Sequence, residues 1–117
     1  MNTDEQNGDQ SYSYSKLDTM TRGWFVGNFL PTAHSTNDVE VAIQRYRAGD
    51  YEPAHYHKIA TEITVILAGE AEMFGRRFHD GDMIKIHPGG ITDFRAITDV
   101  TTVVVKHPGA KNDKYSI

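Results

Sequence analysis

Cysteine is absent from the 117 residues. With it go a disulfide framework, a thiolate nucleophile and any Cys-ligated zinc or iron–sulfur centre. Long apolar runs are absent too. No stretch approaches the roughly 20 apolar residues of a membrane helix, and the opening MNTDEQNGDQ has neither the positive charge nor the apolar run of a signal peptide. No membrane partner and a cytoplasmic location are therefore expected. Positive charge is in short supply: 12 Lys and Arg against 16 Asp and Glu leave −4 with His neutral. Nucleic acid is not expected as a partner, because nothing supplies the basic field that a phosphate backbone requires. The length fits one hydrophobic core and hence one domain.

Six His are present, so any site here works with nitrogen and oxygen chemistry. Short apolar runs follow one another at 23–30, 39–46, 63–67, 70–74, 83–86 and 101–105. They are β-branched and aromatic, of strand length, and separated by Gly49-Asp50, Gly69, Gly75, Asp80-Gly81 and Pro88-Gly89-Gly90, which predicts an all-β sandwich or small barrel. In the second run Val39, Val41 and Ile43 alternate with Glu40, Ala42 and Gln44, a strand with an apolar core face and a wetter face. Residues 70–74 lead through Gly75-Arg76-Arg77 into Phe78, a hairpin that projects both Arg into solvent. We expect a flexible N-terminal tail over 1–20, in which 11–15 has the alternation of an edge strand. The β domain is expected over 21–108 and a C-terminal tail over 109–117. The aromatic stretch from Arg22 to Phe29 reads as a seal over one end of the fold or as a subunit contact.

His55 and His57 are two residues apart, so on an extended segment both imidazoles point to one side while Tyr56 points to the other. Glu62 follows at the start of the next strand, placed to face them. Two imidazoles and a carboxylate suit a divalent metal (iron, manganese, nickel or zinc) and leave coordination positions for water or a small polar molecule. Without a metal, the same trio suits proton transfer.

The spacing of Gly49, His55, His57, Glu62 and Gly69 resembles the first signature of the cupin superfamily. The run Gly81-Asp82 through Pro88-Gly89 to Thr92 resembles its second. The resemblance covers about 39–105 and implies a double-stranded β-barrel of jelly-roll topology, commonly a homodimer, with a metal in its mouth. Thr92, however, stands where the family usually supplies a third His, and His87 lies five residues too early to replace it. Asp93 would face away from the site by the period-2 rule unless a bulge intervenes. The expected metal ligands are therefore His55, His57 and Glu62. Met73, Ile66 and Phe94 are expected as apolar pocket lining, with Arg45, Tyr46, Arg47, Tyr56, Glu72, Lys85, Arg95 and Lys106 as the polar side chains able to line or rim it. Three functions compete: a metal-dependent enzyme of unspecified reaction, a metal-free sugar or sugar-nucleotide isomerase or epimerase, and a non-catalytic ligand-binding or sensor module.

Overall fold

The computed structural model describes residues 11–117; the first half of the expected N-terminal tail lies outside them. The ten strands are β1 (Trp24–Val26), β2 (Glu40–Tyr46), β3 (Tyr51–Tyr56), β4 (Thr61–Ala68), β5 (Glu70–Met73), β6 (Arg76–His79), β7 (Met83–Ile86), β8 (Thr92–Ala96), β9 (Val100–His107) and β10 (Tyr115–Ser116). They form two five-stranded sheets in the orders β1-β2-β9-β4-β7 and β10-β3-β8-β5-β6. All strand pairs are antiparallel. Among the described residues no helix is long and apolar enough to cross a membrane.

Inward-facing residues of both sheets meet in one core. Ile66, Ile84, Ile86 and Val100 come from the first sheet, and Ala71, Met73, Phe94 and Ala96 from the second. The alternation that predicted these strands is physical: on β8, Thr92, Phe94 and Ala96 are buried, whereas Asp93 and Arg95 are not. β9 lies between β2 and β4 and pairs with both along its length. Its Val and Thr residues suit this central position.

Three expectations change. On β2 the inside face is the one carrying Glu40, Ala42, Gln44 and Tyr46, with Ala42 fully buried. Glu40, Gln44 and Tyr46 line a cavity rather than the outer surface. Alternation defines two faces but does not say which one turns inward, and here the polar face does because a cavity receives it. The β5–β6 hairpin turns at Phe74 and Gly75, with φ of 53° and 68°, so Arg76 and Arg77 sit on β6 and not in the turn; both are exposed, as expected, and Arg77 pairs with Glu70 at 3.3 Å. The 109–117 segment docks instead of trailing. Tyr115 and Ser116 pair with Tyr56 and His55 on β3, and the Tyr115 ring stacks on Tyr56 at 5.4 Å. At the other end, residues 11–16 form no strand, 3-10 turns occupy Leu17–Thr19 and Thr21–Gly23, and Met20 between them is buried.

Gly69 carries the chain from β4 in the first sheet to β5 in the second. Its φ is +98°, and a Cβ there would stand 2.1 Å from the Asp99 carbonyl oxygen. Gly69→Ala is expected to lower the unfolding free energy by about 2–4 kcal/mol through the left-handed backbone and the clash. Urea denaturation checks this; a loss within experimental error would contradict it.

Candidate functional site

The two sheets leave a cavity of about 430 Å³ beside the core, sharing Met73, Ile86 and Phe94 with it. Trp24 and Phe29, from the segment expected to seal one end, line it as well. The three residues singled out by spacing, His55, His57 and Glu62, all stand on its wall. β3 carries His55, His57 is the first residue after β3 ends, and Glu62 is the second residue of β4.

His57 and Glu62 meet directly, with Nε2 and Oε1 3.3 Å apart, and both side chains are mostly buried. The other ring nitrogen of His57, Nδ1, hydrogen-bonds the main-chain oxygen of Asp113. A carbonyl oxygen only accepts, so Nδ1 carries hydrogen and Nε2 is left for chemistry. The second oxygen of Glu62 accepts from the Thr64 hydroxyl at 3.0 Å. Glu62 also lies in register between Lys106 on β9 and Ile86 on β7.

The titration of the pair follows from these contacts. The hydrogen bond to Glu62 raises the His57 pKa, outweighing the opposing effect of burial, and the Asp113 carbonyl adds to the rise. Burial alone would raise the Glu62 pKa; hydrogen bonds from His57 and Thr64 prevail and hold it below its ordinary value. The favoured state is thus imidazolium beside carboxylate.

His57 owes its position to a residue that sequence reasoning missed. The Asp113 carboxylate, 4% exposed, accepts from the N–H groups of Lys58 at 2.9 Å, Ile59 at 3.0 Å and Ala60 at 2.9 Å. Burial pushes its pKa up, and these three donors more than reverse that. Asp113 therefore ties the connection after His57 to the C-terminal segment while its own main chain orients the ring. No local signal marks it, because its partners lie 53–56 residues earlier.

His55 takes a different position. Its Nδ1 lies 3.2 Å from the Pro53 carbonyl, and its ring meets the His57 ring edge-on at 5.4 Å between centroids. Thr92 stands opposite His55 in the β3–β8 register, but its hydroxyl is committed to the backbone, accepting from the Phe74 N–H and donating to the Asp93 carbonyl, both at 2.8 Å. The irregularity in this pairing falls between Glu52 and His55 on β3. Asp93 accepts from the Tyr51 hydroxyl at 3.0 Å, and His87 is exposed and outside the cavity lining. Among the described residues no group of three or more His, Asp or Glu side chains is placed to hold a metal ion. Two of the three expected ligands are together; the third is turned toward Pro53.

No protein-family model matches the sequence, and no curated protein matches it. Solved structures do share its fold. An uncharacterised conserved protein with a double-stranded beta-helix domain from Klebsiella pneumoniae is 25% identical with a TM-score of 0.59, the match covering 63% of this chain and 66% of that one. The DMSP lyase DddQ from Ruegeria pomeroyi is 23% identical with a TM-score of 0.67, over 87% of this chain and 55% of that one. Oxalate decarboxylase from Bacillus subtilis is 19% identical with a TM-score of 0.59, over 69% of this chain and 24% of that one. The chain thus spans less than two thirds of the length of each of these proteins. These likenesses and the strand order define an all-β, two-sheet jelly roll of the cupin type.

Proposed function

We propose that the cavity receives a small polar molecule and that His57 and Glu62 act on it by proton transfer, the chemistry of an isomerase or epimerase. One observation carries the reading: Nε2 of His57 faces Glu62 at 3.3 Å on the cavity wall while Nδ1 is held by a main-chain oxygen. A ligand bound in the cavity beside the pair meets an imidazole biased toward its protonated, acid form and a carboxylate base. Abstraction of a proton from a carbon next to a carbonyl needs that pair, the base taking the proton and the acid steadying the developing oxyanion. The names of two structural relatives, a lyase and a decarboxylase, favour an enzyme acting on a small molecule over a passive binder.

The test is solvent-deuterium incorporation at the α-carbon of a panel of hydroxy-aldehydes and hydroxy-ketones, followed by NMR. Wild type is expected to exchange at least one of them, and Glu62→Gln to lower the rate by about 10²–10⁴. No exchange in wild type, or an unchanged rate in the variant, would sink the proposal.

The 3.3 Å separation favours a second reading. Two donors bound to one ion at about 2.1 Å lie about 3.0–3.4 Å apart, and His55 Nε2 has no partner among the described residues. In this reading His55, His57 and Glu62 hold a divalent iron, manganese, nickel or zinc ion, which would supply Lewis acidity. Calorimetric titration of untagged protein with each metal discriminates: stoichiometric binding lost in both His57→Ala and Glu62→Ala supports it, and no binding by wild type removes it.

A further inference from the structure

The apolar face of β2, Val41 and Ile43, lies on the outside of the fold, because Glu40, Ala42, Gln44 and Tyr46 turn inward. The same phase holds across the first sheet. On β9 Thr102, Val104 and Lys106 face the cavity, on β4 Glu62 and Thr64 do so, and on β7 Ile84 and Ile86 face the core. Their neighbours in sequence therefore face outward. Register sets those outward residues in rows. One row reads Val41, Val105, Ile63 and Lys85, and the next reads Ile43, Val103, Val65 and Met83. Lys85 alone among them is charged. Met83 is 71% exposed, and the six β-branched residues keep part of their surface open.

The outer face of the second sheet is of the opposite kind. Arg95, Glu72 and Arg77 lie side by side across β8, β5 and β6, and Asp93 accompanies Arg95 on the outward side of β8. A sheet face that stays in water carries such residues, whereas a contiguous apolar patch of more than a few hundred Å² is rare on a monomer and marks an interaction surface.

The chain itself has little to cover the first face. Its C-terminal segment is committed to the other sheet, β10 pairing with β3, and residues 1–10 contain a single apolar side chain, Met1. A flat array of β-branched side chains is matched well by another such array, packed about 10 Å away as in a two-sheet sandwich. The size also suits a second copy. Four strands at about 4.8 Å span about 19 Å, and seven residues run about 23 Å, so β2, β9, β4 and β7 present a face of about 400–500 Å². Two such faces closed on each other bury about 1,000 Å², the size at which specific interfaces begin.

We infer that the outer face of the first sheet docks on the same face of a second copy of this chain, across a two-fold axis. Val103 and Val65, on neighbouring inner strands, stand at the apolar centre, and Arg45, Thr101 and Lys85 form the polar rim. The stretch expected to make a subunit contact, Arg22 to Phe29, is not used: Trp24 and Phe29 line the cavity. The strands that meet the second copy are those that carry Glu62, Thr102 and Lys106 on their inner side, so each subunit backs the cavity wall of the other. The dimer is independent of the chemistry proposed for the cavity.

Light scattering on the full chain, coupled to size exclusion and repeated over a dilution series, tests this. Wild type at about 100 µM is expected at twice the 13.2 kDa of one chain, with a Kd of about 10 µM or tighter. Val103→Glu, which places two charges at the centre of the interface, is expected to be monomeric at that concentration with native amide dispersion by NMR. Met83→Glu, at a side chain too exposed to matter for folding, is expected to weaken the dimer at least about ten-fold, and it decides the matter alone if Val103→Glu does not fold. Arg95→Glu, on the other sheet, should leave the dimer intact. A monomeric wild type overturns the inference and leaves the face to a different partner. An assembly of more than two chains, a dimer unchanged in Met83→Glu, or one lost in Arg95→Glu overturns it as well.

Discussion

Asp113→Ala is expected to cost about 3–5 kcal/mol of unfolding free energy. The variant orphans three consecutive N–H groups, those of Lys58, Ile59 and Ala60. A buried orphan costs about 1–3 kcal/mol, and partial entry of water keeps the sum below the arithmetic total. Asp113→Asn should fall between wild type and Ala, since its carbonyl still accepts but its NH₂ faces donors. The pH dependence has a definite sign. With a lowered folded pKa, the carboxylate contributes fully above its ordinary value of 3.8, and the contribution is lost as pH falls through the lowered one. Urea denaturation measures the cost, and ¹⁵N NMR of His57 reports whether the Nδ1–H tautomer is still enforced. A loss under about 1 kcal/mol would mean that the tie is not mechanical.

His57→Ala should cost a similar amount, about 3–5 kcal/mol, because it leaves a largely buried Glu62 without its principal partner. Its signature is the shape of the stability profile with pH. In wild type the raised His57 pKa gives stability that is complete below the ordinary imidazole value of 6.5 and lost as pH rises through the folded one. The lowered Glu62 pKa gives stability complete above 4.5 and lost as pH falls through its folded value. The pair therefore contributes most between pH 4.5 and 6.5. In the variant, burial pushes Glu62 toward the neutral acid, so its contribution should grow on acidification. Denaturation midpoints across mildly acidic and neutral buffers separate the two shapes; parallel profiles would show that His57 and Glu62 are not coupled.

Much of this arrangement was legible in the sequence. Alternation marked β2, β8 and β9, and the two-residue step between His55 and His57 put both on the cavity wall with Glu62. Thr92 was singled out by the resemblance as standing in place of a His; it lies in register opposite His55, and its hydroxyl serves the backbone of Phe74 and Asp93. Two things were hidden. The polar face of β2 turns inward because a cavity needs polar lining, and that fact belongs to the assembled sheets and not to one strand. Asp113 was hidden because a carboxylate in KNDK reads as solvated, and only the docking of β10 onto β3 brings it under the 58–60 backbone.

β9 also works as a ruler. Its inward residues Thr102, Val104 and Lys106 all line the cavity, and their exposure grows in that order, 1%, 7% and, for the Lys106 side chain, 17%. Alternate residues on a strand stand about 6.4–6.8 Å apart, so each of the three marks a fixed depth between floor and rim. A larger side chain at Val104, the middle of the three, is expected to narrow the cavity while leaving Lys106 and its partner Glu40 in place.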